Sequence, residues 1–284
     1  MTDALADLVQ LLDLEAVEVN IFRGTQPDED RQRVFGGQVA GQALVAAART
    51  VDEPGRLVHS LHAYFLRPGD PKVPILYQVD RIRDGRSFTT RRVVAIQHGR
   101  AIFHLSASFH DHEPGLDFGG EPMPEVPAAD TLATLQERLA TFREQFGDQV
   151  DRPRPIDMRY VSPDPIVEPR VKTSSQQVWL RADGTLPDDP VLHACIVTYA
   201  SDMTLLDAAI RPFGLSTFID RLMTASLDHA MWFHRPFRAD DWLLYSQQAV
   251  SSSGARGLAR GALYTTDGHL AVSVVQEGLI RVLA

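Results

Sequence analysis

The chain carries its own plan twice. The run His62-Ala63-Tyr64-Phe65-Leu66-Arg67-Pro68 can be laid on His229-Ala230-Met231-Trp232-Phe233-His234-Arg235-Pro236 with one insertion. Leu76-Tyr77 falls on Leu244-Tyr245 at the offset that relates Arg67-Pro68 to Arg235-Pro236. His98-Gly99 falls on Asp267-Gly268, and residues 106–109 fall against 274–277. Self-similarity of this kind marks one supersecondary unit used twice. The length agrees: 284 residues exceed one ordinary domain and suit two of about 130.

Residues 3–14 place Leu5, Leu8, Val9, Leu11 and Leu12 at helical spacing behind Thr2 or Asp3 as cap. Weak alternation over 17–22 predicts a first strand, and 25–33 is a charged loop. Residues 34–49 are Ala-rich and apolar on nearly every face, which predicts a buried helix. Gly36 and Gly37 stand at its start. They either permit a sharp turn into the helix or bare N–H groups that favour a negative ligand atom. After a turn at Pro54-Gly55, strand-like segments follow at 57–67, 73–83, 87–97 and 101–110, joined by Asp84-Gly85 and His98-Gly99. Helix and strands kept apart along the chain point to an α+β fold rather than a parallel βαβ one.

Residues 113–127, rich in Pro, Gly and acids, form a linker, and 131–146 has one apolar helical face. The stretch 151–169 holds five prolines and cannot be regular throughout. The second copy is expected to run as a strand at 173–181, a strand or buried segment at 192–200, and a short helix at 202–210 capped by Ser201 or Asp202. Strands follow at 226–234, 242–250, 255–264 and 270–281. The expected division is a unit at 1–115, a linker with a helix at 116–165, and a unit at 166–284.

Each copy would wrap a curved antiparallel sheet around its own apolar helix, the hotdog arrangement. The phrases RVFGGQVAGQAL, DGRSFTTRRV, IQHGRAIF, ASLDHAMWFHRPFRADDWLLY and VQEGLIR resemble, in the expected order, those of the type II (TesB-like) acyl-CoA thioesterases. The resemblance runs through about the whole chain from the first helix on. It implies a tandem double hotdog, with two antiparallel sheets each wrapped around a central helix. It also implies hydrolysis of fatty acyl-CoA to fatty acid and coenzyme A without a cofactor, and a homo-oligomer (dimer or tetramer), since hotdog sheet edges commonly pair. The catalytic residues it implies are an acid at Asp202, a hydroxyl at Ser226 and an amide at Gln276, acting together on water.

Thioester hydrolysis needs a positioned nucleophile and donors for the developing oxyanion. Asp202, at the start of the expected short helix, would be kept ionised by the helix dipole and accept a proton from water; on its own it would be a plain N-cap. Ser226 and Gln276 would hold the water with their oxygens, or Gln276 would donate to the thioester oxygen. The first copy offers only Gly37, Leu61 or His62, and Ala107 or Ser108 at the counterparts, so one site per chain is expected. Repeat symmetry places Gly37 and His62 near the substrate. Arg86 and Ser87, with Arg91, Arg92, Arg256 and Arg260 on the matching hairpins, are candidates for the coenzyme A phosphates. A hotdog enoyl-CoA hydratase would need an Asp/His dyad on one wall, and a non-catalytic acyl-CoA binder or scaffold is the other alternative.

No Gly-x-Ser-x-Gly elbow is present. Cys195, the single cysteine, lies in an apolar run as a buried small residue and fits a reducing cytoplasm. The spacing of His110-Asp111-His112 is not that of a zinc site, so no metal is expected. A net charge of −9 disfavours nucleic acid, and no run of about 18 apolar residues offers a membrane span. The acidic N-terminus lacks the features of a signal peptide, and Arg281-Val282-Leu283-Ala284 is not a peroxisomal address; a cytoplasmic location is expected.

Overall fold

The computed structural model describes residues 1–27, 32–53, 55–161 and 163–283, except the side chain of Gln149. Part of the charged loop expected at 25–33, Pro54 of the expected Pro-Gly turn, and Ala284 lie outside the described residues. The first half runs α1 (Asp3–Leu12), β1 (Glu15–Glu18), β2 (Ile21–Gly24), α2 (Gly36–Ala48), β3 (Arg56–Phe65), β4 (Ile75–Asp84), β5 (Phe88–Gln97) and β6 (Arg100–Asp111). A connecting region carries α3 (Leu135–Ala140), α4 (Arg143–Phe146) and β7 (Ile156–Tyr160). The second half runs β8 (Ser175–Ala182), α5 (Pro190–Ser201), α6 (Leu205–Ala208), β9 (Leu222–Ser226), β10 (Asp228–Phe233), β11 (Leu243–Ser253), β12 (Arg256–Thr265) and β13 (Leu270–Val282).

The order β2-β4-β5-β6-β3 in one half is repeated as β8-β11-β12-β13-β10 in the other. The two antiparallel sheets join where β3 pairs with β10, Leu61 opposite Met231 and Ala63 opposite His229. Inside the sheet lie α2 and α5, side by side. Every residue of α2 from Gly37 to Ala47 is buried, and a Cβ on Gly41 would meet the Cys195 carbonyl at 3.3 Å. Small side chains let the two backbones approach, and the sheets then cover helices with no polar face to show. Tyr77 and Tyr245, the repeat-related pair, both point inward: one hydroxyl donates to Gln42 of α2, the other to the Ser201 carbonyl of α5. This is the tandem double hotdog.

Several elements differ from expectation. The first strand is a hairpin, β1 and β2, turning at Asn20 with φ of 59°. The helix expected over 131–146 is two short pieces; Thr134 and Glu137 form a capping box that starts α3, and Phe142 leaves helical geometry between them. The region expected as linker also contributes β7, whose Ile156, Met158 and Tyr160 face the core beside β8.

The segment 192–200 is the central helix α5. Asp189 caps it, its side chain accepting from the Val191 and Leu192 N–H groups, and Pro190 occupies the first turn. Its β-branched residues weaken helix propensity, but burial against α2 decides the outcome. Asp202 is therefore the C-cap of α5 and does not open a helix; α6 starts three residues later. The strand expected at 226–234 is also broken. Ser226 lies opposite Gly278 and Ala230 opposite Val275, so four steps on one strand face three on the other. That bulge re-aims the chain at Leu227.

Candidate active site

The break between β9 and β10, the end of α5 and the middle of β13 meet at one carboxylate. Ser226 Oγ donates to Asp202 Oδ1 at 2.9 Å, and Gln276 Nε2 donates to the same oxygen at 2.5 Å. The Gly37 N–H, in the first turn of α2, donates to Asp202 as well. Asp202 thus sits at the C-terminus of its own helix, where the dipole disfavours an anion, and against the N-terminus of the other half's helix, where it is favoured. Burial outweighs the donors: it pushes the Asp202 carboxyl up to about 6, with the bonds from Gln276, Ser226 and Gly37 and the charge of Arg33 opposing it. The expectation that a helix start of its own would keep this acid readily ionised is corrected on that ground.

The glycines are explained by space. A Cβ on Gly36 would fall 2.6 Å from Asp202 Oδ2 and 2.9 Å from the Phe65 ring; one on Gly37 would fall 2.3 Å from the Tyr199 carbonyl oxygen. Phe35 packs edge-on against Tyr199 with ring centroids 5.1 Å apart, and Phe65 against Phe103 at 5.0 Å. These rings form an apolar surface beside the carboxylate, and Arg33, bonded to the Thr224 carbonyl, brings a cation within range of it. Sequence reading missed Arg33, Phe35, Phe65 and Tyr199. Their signal was proximity: Arg33 and Phe35 flank the Gly-Gly pair, and Tyr199 lies one helical turn before Asp202.

The other expected substrate residues are elsewhere. His62 is on the outer face of β3, exposed, its ring edge-on to Trp232 at 5.3 Å. His229 is buried on the inner face; the two histidines matched in the repeat are one residue out of register, and one residue in a strand changes the face. Arg86 and Ser87 lie in the β4–β5 turn, where the Arg86 carbonyl accepts from Arg56 and the Ser87 carbonyl from the Asp111 N–H. That is the Arg56 end of β3, whereas Phe65 beside Gly36 is the other end. Nine residue-to-residue steps of strand separate them, about 30 Å at ~3.3 Å each. The expected arginine cluster is dispersed too: Arg91 is fully buried, Arg92 pairs with Asp80, and Arg256 with Glu277. His62→Ala and Arg86→Ala are accordingly expected to leave kcat and KM within about twofold of the parent, as for surface substitutions; steady-state kinetics on acyl-CoA checks this.

In the first half, Arg91 faces Ala107 where Ala259 faces Gln276 in the second. The Arg91 guanidinium binds Thr50 and Asp84 and fills the space. No acid, hydroxyl and amide converge there among the described residues. Cys195 is buried and burial pushes its thiol up, which leaves it protonated and unreactive. No group of three or more His, Cys, Asp or Glu side chains that could hold a metal occurs among the described residues. No helix among them is long and apolar enough to cross a membrane.

Known proteins match this chain over both halves. The acyl-CoA thioesterase family profile matches residues 161–279, and the profile of the acyl-CoA thioesterase N-terminal domain matches residues 25–110. Acyl-coenzyme A thioesterase 8 of Homo sapiens is 40% identical over 283 residues, covering 96% of this chain and 88% of that protein. Acyl-CoA thioesterase 2 of Haemophilus influenzae is 37% identical over 285 residues, covering 99% of each. The crystal structure of the acyl-CoA thioesterase II TesB2 of Mycobacterium marinum is 44% identical, covers 98% of each chain and superposes with a TM-score of 0.80. With one profile on each half and relatives matched over nearly their full length, the chain belongs to the type II (TesB-like) acyl-CoA thioesterase family.

Proposed function

We propose that the protein hydrolyses fatty acyl-CoA to a free fatty acid and coenzyme A, with Asp202 as the general base. The observation that carries this reading is a half-buried carboxylate pushed up to about 6 that accepts from Ser226, Gln276 and Gly37 beside an aromatic wall. A base poised near neutral pH suits proton transfer from water. Water hydrogen-bonded to Asp202 and Ser226 attacks the thioester carbonyl carbon while its proton passes to Asp202. The tetrahedral oxyanion collapses, the C–S bond breaks, and the coenzyme A sulfur leaves as the proton returns to it. Gln276 Nε2 has a second hydrogen for the oxyanion. The phenyl rings of Phe35 and Phe65 receive the acyl chain.

The chemistry uses only side chains and water, so no cofactor enters it. One site per chain, formed by the second half with Gly37 of the first, is part of the same reading. So are a homo-oligomer, built on the open edges of the end strands β1 and β7, and a cytoplasmic location. A hydratase would use a histidine against Asp202, but the buried histidine beside the end of α5, His229, bonds to Ser201. The test is release of free thiol from saturated acyl-CoAs of increasing chain length. Turnover on at least one chain length is expected; binding without thiol release at any length overturns the reading in favour of a binder.

A further inference from the structure

Gln276 Oε1 and His229 Nδ1 are buried and have no hydrogen-bond partner among the described residues. They are neighbours. The β10–β13 register sets Ala230 opposite Val275 and Met231 opposite Val274, and continuing it by one residue would bring His229 opposite Gln276. Both side chains face inward, 1% and 0% exposed, and side chains opposed in this way start about 5 Å apart at Cβ.

The hydrogen bonding around Ser201 points to one assignment of these atoms. Ser201 Oγ lies 2.9 Å from the Thr198 carbonyl oxygen and 2.8 Å from His229 Nε2. The Thr198 carbonyl and the Met231 sulfur, 3.5 Å from Ser201 Oγ, only accept, so we assign the single hydroxyl proton to that side and Nε2–H to His229, donating to Ser201 Oγ. Burial keeps this imidazole neutral, pulling it down to about 4. A neutral ring with its proton on Nε2 has a bare Nδ1. Gln276 is oriented from the other side: an ionised Asp202 accepts only, so the amide nitrogen faces it and Oε1 is turned away from the carboxylate. Two acceptors cannot bond to each other. They need a shared donor of two hydrogens, and a buried water with polar partners on both sides supplies one.

We propose that His229 is a positioning residue: its Nδ1 and Gln276 Oε1 hold one buried water between them, which locks the Gln276 amide with its N–H on Asp202. The inference rests on the reading of Asp202 as the base. Without the lock the amide can turn its oxygen to the carboxylate, Asp202 loses a donor, and its ionised form becomes harder to reach. The ionisable groups around Asp202 include Arg33, a permanent cation, and Tyr245, which burial keeps neutral. Asp228, beside His229 in the chain, accepts from the Glu277 N–H on the outer side of the strand.

Two substitutions separate the nitrogens. The Asn oxygen in His229→Asn stands near Nδ1, whereas the amide in His229→Gln reaches the Nε2 position and leaves Nδ1 unreplaced. In His229→Gln the acid limb of kcat is expected to move up by about one pH unit, with kcat about twofold lower at pH 7, about tenfold lower at pH 5, and KM unchanged, as for loss of one hydrogen bond to a carboxylate. His229→Asn is expected to retain the parent limb. The reverse pattern, or no movement of the limb in His229→Gln, overturns the proposal. The parent enzyme gives a second test: ¹⁵N chemical shifts of its histidines must show His229 protonated on Nε2 alone, and a proton on Nδ1 overturns the water-sharing arrangement. Full activity of Asp202→Asn would instead remove the base itself, a different failure.

Discussion

Asp202→Asn is expected to lower kcat on acyl-CoA by about 10²- to 10⁴-fold, the usual worth of a positioned general base, with acyl-CoA still bound. Asparagine keeps an oxygen for Ser226 and Gln276 but cannot take a proton from water. The same substitution is expected to stabilise the fold at neutral pH. Burial raises the Asp202 carboxyl from 3.8 to about 6, so the native state holds that proton more tightly than the unfolded chain does. This contribution is fully present below pH 3.8 and declines as pH rises toward 6. Above that range the ionised carboxylate is a cost, about 1–2 kcal/mol once solvent screening at a partly open site is allowed for. Removing it should raise Tm at pH 7.5 by a few degrees, about 2–4 °C per kcal/mol for a chain of this size. Asp207, also pushed up to about 6 by burial, titrates in the same window, so the gain is read as the difference between parent and variant. Activity has the opposite slope. It needs the ionised form and is expected to rise through pH 6, so the enzyme is least stabilised by this group where it works best. Parallel kcat and Tm profiles of parent and variant check both signs.

Gly37→Ala is expected to be the most damaging methyl group that can be added at the site. The new carbon would fall 2.3 Å from the Tyr199 carbonyl and 2.6 Å from the Phe35 ring. The first obstacle is backbone of the opposing helix and cannot rotate away. Relief requires α2 and α5 to part, at about 2–3 kcal/mol, the upper range for overpacking a tight core. The same movement draws the Gly37 N–H away from Asp202. Both lower stability and lower kcat follow, measured by denaturant unfolding and thiol release. A variant with parental Tm and kcat would show that the helices pass each other more loosely than this geometry allows. Gly55, whose Cβ would meet nothing within 4 Å, is the control: Gly55→Ala should change neither.

Much of this architecture was legible in the chain because burial and repetition leave marks. The apolar run of α2 and the paired Leu-Tyr dipeptides predicted where the helix and strands would fall. The segment 192–200 was ambiguous because continuous burial erases periodicity: a run with no polar face looks alike as strand or helix. Asp189-Pro190 could have decided it, since a cap followed by proline marks a helix start. That ambiguity carried over to Asp202, placed at the wrong end of a helix. Asp202, Ser226 and Gln276 were named from family phrases; their convergence depends on a bulge at Leu227 and on Gly37 from the distant half, neither of which has a local signature. His62 failed for a simpler reason. Repeat alignment by identity tolerates a slip of one residue, and a strand does not.

The join between β3 and β10 has a bearing on descent. Two identical units pairing along that seam would possess two equivalent clefts related by a rotation axis, each borrowing a helix start from its neighbour. Once both units are encoded in a single gene, the clefts are inherited separately, and Arg91 can occupy one while an acid is kept in the other. Freedom to diverge is still incomplete. The half without the acid owns Gly36 and Gly37, so selection on the chemistry of one half acts through the backbone of the other, and neither half can be lost or exchanged alone.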